Sequence, residues 1–206
     1  MASCVTFEYI RKNPDIRTYI QRADAALKSI GYTEHSFPHV EKAAATAARI
    51  AGFLHDIGNI INRVDHAQSG AVMAFRLLDR LEMSVDEICS VISAIGNHDE
   101  ATAQPIDAIS AALILADKTD VRRSRVRNTD FLTFDIHDRV NYAVETAELL
   151  IDKEQQEFVL SMTIDTQISS VLEYFEIFME RMLLCRRAAQ FFHMQFKIYI
   201  NHSLML

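Results

Sequence analysis

The chain has 206 residues, of which 50% are hydrophobic and 24% charged, and this composition predicts one globular domain or a domain with an appendage. Its formal net charge of −7 disfavours broad nucleic-acid binding, which depends on basic faces. No apolar run reaches the roughly 18 residues of a membrane span, and the N-terminus lacks the basic and apolar regions of a signal peptide.

The cysteines and the turn-forming residues indicate a helical protein of a reducing compartment. Cys4, Cys89 and Cys185 have no CxxC spacing and stand in apolar surroundings, so we expect reduced core residues and a cytoplasmic location. Five Gly and three Pro in the whole chain leave few turns between long elements. The predicted fold class is therefore mainly α.

The N-terminal part is predicted to be helical. A short helix over 4–12 is separated by Pro14 from a helix over 15–30, whose apolar residues recur at helical spacing. Ser36 suits the N-cap of one or two alanine-rich helices over 39–57. The apolar residues at the end of that run predict a buried segment.

Three further helices are predicted in the middle of the chain. The first follows His66 and contains the apolar run 71–78. The second begins with a capping box at Ser84 and closes at Gly96. The third is capped by Asp107 and runs through 109–116 into Asp117.

The C-terminal part has a different pattern. After a loop over 128–136 and a helix over 137–151, strand and helix patterns alternate. We predict a helical domain over 1–152 and a small α+β appendage over 153–206. The predicted appendage elements are a strand at 158–164, a long helix at 167–190, and a terminal hairpin formed by 195–200 and 204–206.

The most informative stretch joins an apolar run to the pair His55-Asp56, with Gly58 just after it. Burying such a pair is costly unless it is compensated, and a metal ion compensates it well. Nitrogen and oxygen ligands without cysteine suit Fe, Mn, Zn, Mg or Ni. Six ligands suffice for two ions, with Asp56 as the natural bridge. The other four candidates are His39, His66, His98 and Asp117.

This order of residues resembles the HD-domain metal-dependent phosphohydrolases, over roughly residues 30–127. The family pattern is a His, a His-Asp pair and a later Asp in an Ala-Asp-Lys context, here His39, His55, Asp56 and Asp117. The binuclear branch adds two histidines, which His66 and His98 match. The GYP signature of the cyclic-dinucleotide phosphodiesterases is absent after His98.

The first ligand departs from the family spacing. His39 precedes His55 by sixteen residues, where the family usually has about twice as many, with an extra helix between. Either that helix is shortened here or a segment is missing. His35 is the alternative ligand, and we prefer His39 because the residues that follow it fit the helix after the family's first His.

The resemblance implies a helical bundle that hydrolyses a nucleotide or other small phosphate ester with metal-activated water. Two ions about 3.5–4 Å apart lower the pKa of a bridging water. The catalytic assignments are Asp56, Lys118 and Asp120, with Asp120 or Asp99 as an orienting residue or proton acceptor.

Phosphate binding is predicted for the basic run that begins at Lys118. Arg122 and Arg125 would share a helical face with Lys118 if the helix continued, and the alternative is a solvated helix end. Asn59, Asn62 and Arg63 are expected at the pocket mouth, and Asn59 is predicted to bind substrate.

Two other functions fit the same residues. One is a di-iron oxygenase on the same six ligands, and the other is a non-catalytic nucleotide-binding regulatory protein. A homodimer is predicted because strands at a chain end can pair between subunits.

Overall fold

The structure is a computed structural model that describes residues 47–126, 128 and 130–206. Several predictions for residues 1–46 lie outside the described residues. They are the helices over 4–12 and 15–30, the N-cap Ser36, and the ligands His39 and His35.

The first described helix, α1, covers residues 47–54 and ends at the His55-Asp56 turn, as predicted. A 3-10 helix, Ile57–Ile60, follows immediately. The predicted burial of the preceding apolar run is wrong in part: Ala51 is buried, but Phe53 is 88% exposed. The two residues lie on different sides of one helix, so a continuous apolar run cannot be buried on all sides here.

Gly58 allows this turn to lie directly against the next helix. A Cβ on Gly58 would lie 2.0 Å from the His66 carbonyl oxygen and 2.6 Å from the Gly70 amide nitrogen. Both atoms are backbone, so only a residue without a side chain permits the approach. This contact fixes the His55-Asp56 turn against the helix that begins at His66.

Three helices follow, as the sequence predicts: α2 (His66–Arg80), α3 (Val85–Gly96) and α4 (Ala108–Lys118). The Ser84 side chain accepts a hydrogen bond from the Glu87 amide at the start of α3. Asp107 and Ser110 form a reciprocal capping box at the start of α4. Buried residues of α1 to α4 form one apolar cluster, which includes Ala51, Ala74, Val91, Ile95 and Leu113.

The remaining elements form a small sheet with a long helix. They are α5 (Ile136–Ala143), β1 (Val144–Asp152), β2 (Glu157–Ile164), α6 (Val171–Phe191), β3 (Gln195–Ile200) and β4 (Ser203–Leu204). The strand order is β1-β2-β3-β4, and the β2–β3 pair is parallel while the other two pairs are antiparallel. A mainly helical fold with a small C-terminal α+β appendage is therefore confirmed.

The predicted helix over 137–151 is wrong in its second half. The helix stops at Ala143, and the chain pairs with β2 from Val144 onward, opposite Ile164. The spacing of Val144 and Ala147 also fits a helix, so pairing with a distant strand decides the structure. The domain boundary predicted after residue 152 falls in the turn that joins β1 to β2.

The long helix α6 joins the sheet to the helical part. A second apolar cluster contains Ile114 and Leu115 of α4, Phe178 and Met182 of α6, and Leu160 of β2. Burial of such side chains contributes about 1.5–3 kcal/mol each. This shared core holds α6 beside the C-terminal end of α4, where Asp117 and Lys118 lie.

Two features of the described part of the chain bear on membrane insertion and on dimerisation. Among the helices that the structure describes, none is both long and apolar enough to cross a membrane. Strand β1 lies at the edge of the described sheet, and its Leu150 and Ile151 are exposed. The homodimer stays a prediction.

The close approach at Gly58 generates a stability prediction. Gly58→Ala should lower the free energy of unfolding by about 1–3 kcal/mol, because the added Cβ overlaps backbone atoms that have to move. Urea unfolding measures the change. The control is Gly52→Ala in α1, where no atom of the described residues lies within 4 Å of the new Cβ; its free energy of unfolding should rise by about 0.5–1 kcal/mol. Equal stability of the two variants would contradict the packing argument.

Candidate metal centre

Three histidines are held in the same orientation by the same local hydrogen bond. In each, Nδ1 lies 2.6–3.0 Å from the backbone carbonyl oxygen three residues earlier. A carbonyl only accepts, so Nδ1 carries the proton and Nε2 keeps its lone pair when the ring is neutral. The pairs are His55 with Gly52, His66 with Arg63, and His98 with Ile95.

The three Nε2 atoms converge with two carboxylates. His55, His98 and Asp117 form one group of ligand atoms that lie within 4.8 Å of one another, and Asp56, His66 and His98 form a second. His98 belongs to both groups. We call these the His55 group and the His66 group.

Asp56 lies between the two groups. Its Oδ1 is 3.3 Å from His66 Nε2, and its Oδ2 is 3.4 Å from His55 Nε2. Each oxygen therefore faces a different group, which is the arrangement that a bridging carboxylate requires. The Asn59 amide donates to Asp56 Oδ1 at 2.9 Å and to its backbone carbonyl at 3.0 Å. Asn59, predicted to bind substrate, thus orients Asp56 in this structure.

The chemistry of the donors fits divalent cations. His66 and His98 are 1% and 0% exposed, and their Nε2 atoms lie 3.3 Å apart. The lone pairs of these two Nε2 atoms face each other in a buried place, and a positive charge between or beside them stabilises this arrangement. Arg63 supplies part of that positive charge, because its Nη1 atom lies 3.1 Å from His66 Nε2. The set of imidazoles and carboxylates without thiolate is one that Fe, Mn, Zn or Ni accepts.

Asp117 is strongly ionised in this setting. Burial opposes its charge, but the His55 hydrogen bond and the adjacent Lys118 cation hold the pKa of Asp117 well below its ordinary value. Asp117 Oδ1 lies 3.5 Å from His55 Nε2, and Oδ2 lies 2.7 Å from Lys118 Nζ. The carboxylate therefore has one oxygen toward the histidines and the other toward a lysine that is only 4% exposed.

The histidines differ in how strongly they hold a proton. The hydrogen bond with Asp117 raises the pKa of His55 above its ordinary value of 6.5, although burial acts in the opposite direction. Burial lowers the pKa of His98 below the same ordinary value. His98 is therefore the better prepared of the two to offer a lone pair near neutral pH.

Beside these groups lies a small polar cavity of about 140 Å³. Of the residues predicted to bind phosphate, Lys118 and Arg125 line it. Arg63, expected at the mouth, also lines it. Arg181 of α6 was missed, because a lone Arg in a distant helix has no sequence signal that connects it to the site. The lining residues are Asp56, Arg63, His66, Asp117, Lys118, Arg125 and Arg181.

Helix α4 does not continue into the basic run after Asp117, so the condition for a shared helical face is not met. Helix α4 ends at Lys118, and Arg125 reaches the cavity from a 3-10 turn, Arg123–Arg125. Lys118, Arg122 and Arg125 therefore do not share one helical face. Asp120 pairs with Arg122 at 2.7 Å and receives a hydrogen bond from Arg125 Nη1 to its carbonyl oxygen at 2.7 Å.

Neither Arg122 nor Asp120 is among the described residues that line the cavity. Asp99, the other candidate orienting residue, lies 3.8 Å from His66 Nε2 and 4.0 Å from Arg63 Nη2. Asp99 is thus the closer of the two aspartates to the histidines.

His98 should matter most for metal content, because it belongs to both groups. His98→Ala leaves neither group with three donors, whereas His55→Ala and His66→Ala each leave one group complete. Elemental analysis of the purified variants should therefore show the fewest ions per chain in His98→Ala. The control is His137→Ala, an exposed histidine of α5, which should keep the wild-type content. Equal losses in all three site variants would contradict the two-group geometry.

The pKa shifts predict different acid sensitivity for the two groups. The pKa of His55, which belongs to one group only, is raised above 6.5, whereas the pKa of His98, which belongs to both groups, is lowered. Metal binding needs neutral imidazole. On acidification, His66→Ala, which keeps the His55 group, should release its ion at a higher pH than His55→Ala. Metal retention after dialysis at a series of pH values measures this, and the reverse order would contradict the assignment.

Comparison with known proteins agrees with this geometry. The family model described as HD domain matches residues 23–122. No curated protein and no solved structure matches the chain. The matched range contains the His55-Asp56 pair, His66, His98 and Asp117. The chain therefore contains an HD domain, and the resemblance to the HD-domain metal-dependent phosphohydrolases is confirmed over residues 23–122.

Proposed function

We propose that this protein hydrolyses the phosphate ester of a nucleotide or another small phosphorylated compound. The observation that carries the proposal is the convergence of three histidine Nε2 atoms and two carboxylates beside a cavity lined by cationic side chains. The first part is a donor set for divalent ions, and the second is a binding surface for phosphate oxygens.

Metal chemistry would act at the two ligand groups. Divalent ions bound there would lower the pKa of a water molecule and neutralise charge on the phosphoryl oxygens. We infer two ions, one for each group, and the residues fit Fe, Mn, Zn or Ni better than an ion that prefers oxygen ligands alone.

The protein's own residues fix the donors before an ion binds. The carbonyl bonds to Nδ1 set the ring orientation of His55, His66 and His98, and Asn59 sets that of Asp56. Such supporting hydrogen bonds are typically worth 10–100-fold in metal affinity or activity. These side chains then need less rearrangement when ions bind to the two groups.

Lys118 and Arg125 are the proposed contacts to phosphate oxygens of the substrate. Lys118 Nζ is held between Asp117 Oδ2 at 2.7 Å and Glu100 Oε2 at 3.3 Å. Arg125 is held by the Asp120 carbonyl oxygen. The position of Asp120 favours orientation of Arg125 over direct proton transfer. Asp99, beside His66, is the better placed proton acceptor.

The size of the cavity limits what can enter it. A cavity of about 150 Å³ accommodates a molecule of the size of benzene, and this one measures about 140 Å³. A phosphate group fits such a space, while a whole nucleotide does not. The remainder of the substrate would therefore lie outside the cavity.

The variant Asp56→Asn tests the proposal, because it should lose phosphate release. The substitution removes the charge that faces both groups while keeping the shape, so turnover should fall at least about 100-fold. Phosphate release from a panel of nucleotides and simple phosphate esters, measured under anaerobic conditions with Mn²⁺, gives the readout. The control is His137→Ala, which should retain wild-type turnover.

The same experiment separates the alternative functions. Phosphate release without oxygen excludes dependence on an oxygenase reaction. Absence of phosphate release from every compound, together with oxygen uptake or with nucleotide binding alone, would contradict the proposal.

A further inference from the structure

Arg181 reaches the cavity from the C-terminal appendage. It lies on α6, which packs against α4 through the shared apolar cluster, and its side chain is 28% exposed. It lines the same cavity as Asp117 and Lys118. The appendage therefore contributes a cationic side chain to a site whose metal-binding donors belong to the helical part of the chain.

The Arg181 guanidinium is held from two sides. Its Nε pairs with Glu100 Oε1, and its Cζ lies 4.8 Å from the centre of the Phe178 ring. A guanidinium has five N–H donors, so a single carboxylate leaves several of them for a ligand. Its orientation is thus fixed while part of its hydrogen-bonding capacity is available.

Glu100 connects Arg181 to Lys118. One carboxylate oxygen pairs with Arg181 and the other lies 3.3 Å from Lys118 Nζ. Glu100 thus links the two cationic groups and sets their positions.

The two oxygens of Asp117 separate this cluster from the histidines. Oδ1 faces His55, and Oδ2 faces Lys118. A phosphate held next to the metal-binding donors would lie on the Oδ1 side, while Lys118, Glu100 and Arg181 lie beyond Oδ2. The cationic cluster is thus placed for a group adjacent to the reacting phosphate.

The charges of the side chains that line the cavity also favour a ligand with more than one phosphate. The described residues that line the cavity include four cationic side chains and two carboxylates, and both carboxylates are candidate metal ligands. A ligand with one phosphate can contact only some of these four cationic side chains. A ligand with linked phosphates supplies anionic oxygens to both ends of the cavity.

We propose that Arg181, together with Lys118, binds a second phosphate, so that the substrate carries at least two linked phosphate groups, and that Glu100 is the positioning residue for both. This inference rests on the proposed hydrolysis of a phosphorylated compound and names its substrate class. It also gives the C-terminal appendage a direct part in substrate binding.

Two probes that resist hydrolysis test the proposal. Methylenediphosphonate has two linked phosphonate groups, and methylphosphonate has one. Their dissociation constants are measured by calorimetry on the metal-loaded protein. The wild-type protein should bind methylenediphosphonate more tightly, and adenosine 5′-(α,β-methylene)diphosphate then shows the source of the linked phosphates. Tighter binding of the nucleoside compound identifies a nucleotide, and equal binding identifies the phosphate chain alone; both results support the proposal.

The decisive variant is Arg181→Met, which keeps an apolar stem against Phe178 and removes the charge. The dissociation constant of methylenediphosphonate should rise about tenfold, and that of methylphosphonate less than about twofold. Arg187→Met, an exposed arginine of the same helix, is the control and should change neither. Glu100→Gln should weaken methylenediphosphonate binding in the same direction by a smaller factor.

A purely structural role for the Arg181–Glu100 pair gives a different result. Arg181→Met would then lower the melting temperature and leave the two probes affected alike or not at all, which overturns the proposal. If Arg181→Met does not fold, Arg181→Lys retains the charge without the planar fork and should still weaken methylenediphosphonate selectively. An unchanged ratio of the two dissociation constants in that variant also overturns it.

Failure of this inference differs from failure of the proposed function. Phosphate release that does not depend on Arg181 would overturn the second-phosphate site alone. Selective loss of methylenediphosphonate binding in Arg181→Met, without any phosphate release by the wild-type protein, would overturn the hydrolase and leave the binding site.

Discussion

The hydrogen bond from a histidine Nδ1 to the carbonyl three residues earlier is the interaction on which the site depends. It occurs at His55, His66 and His98, and each time it leaves Nε2 directed toward the same small volume. The bond uses a carbonyl of the local chain, so each ring is oriented by its own segment. The three segments then need only the correct mutual position, which the contact of Gly58 with the start of α2 secures on one side.

The position of Asp117, at the C-terminal end of α4, is set by apolar packing. Helix α4 ends at Asp117 and Lys118, and its Ile114 and Leu115 lie in one core with α6 and the sheet. The appendage therefore stabilises the helix that presents one of the carboxylates. The same packing places Glu100 and Arg181 within reach of each other, although they are far apart in sequence.

Local chemistry made much of this fold predictable from the sequence. Ser84 and Asp107 start their helices as capping residues, and the order of His55, Asp56, His66, His98 and Asp117 pointed to one site. Where the outcome depends on distant partners, prediction failed. Val144 and Ala147 fit a helix until β2 is present, and the exposure of Phe53 depends on what α1 packs against. Arg181 belongs to the cavity only because α6 lies on α4.

The sharing of His98 between the two groups has a consequence for coordination. A neutral imidazole Nε2 has a single lone pair and can ligate one ion at a time. The described part of the chain offers three such nitrogens and two carboxylates to two groups, so at least one ion held there would have few protein ligands. Metal sites that fix structure are closed by four protein ligands, whereas vacant positions admit water and substrate. Among the described donors, such vacant positions would be accessible to water and substrate.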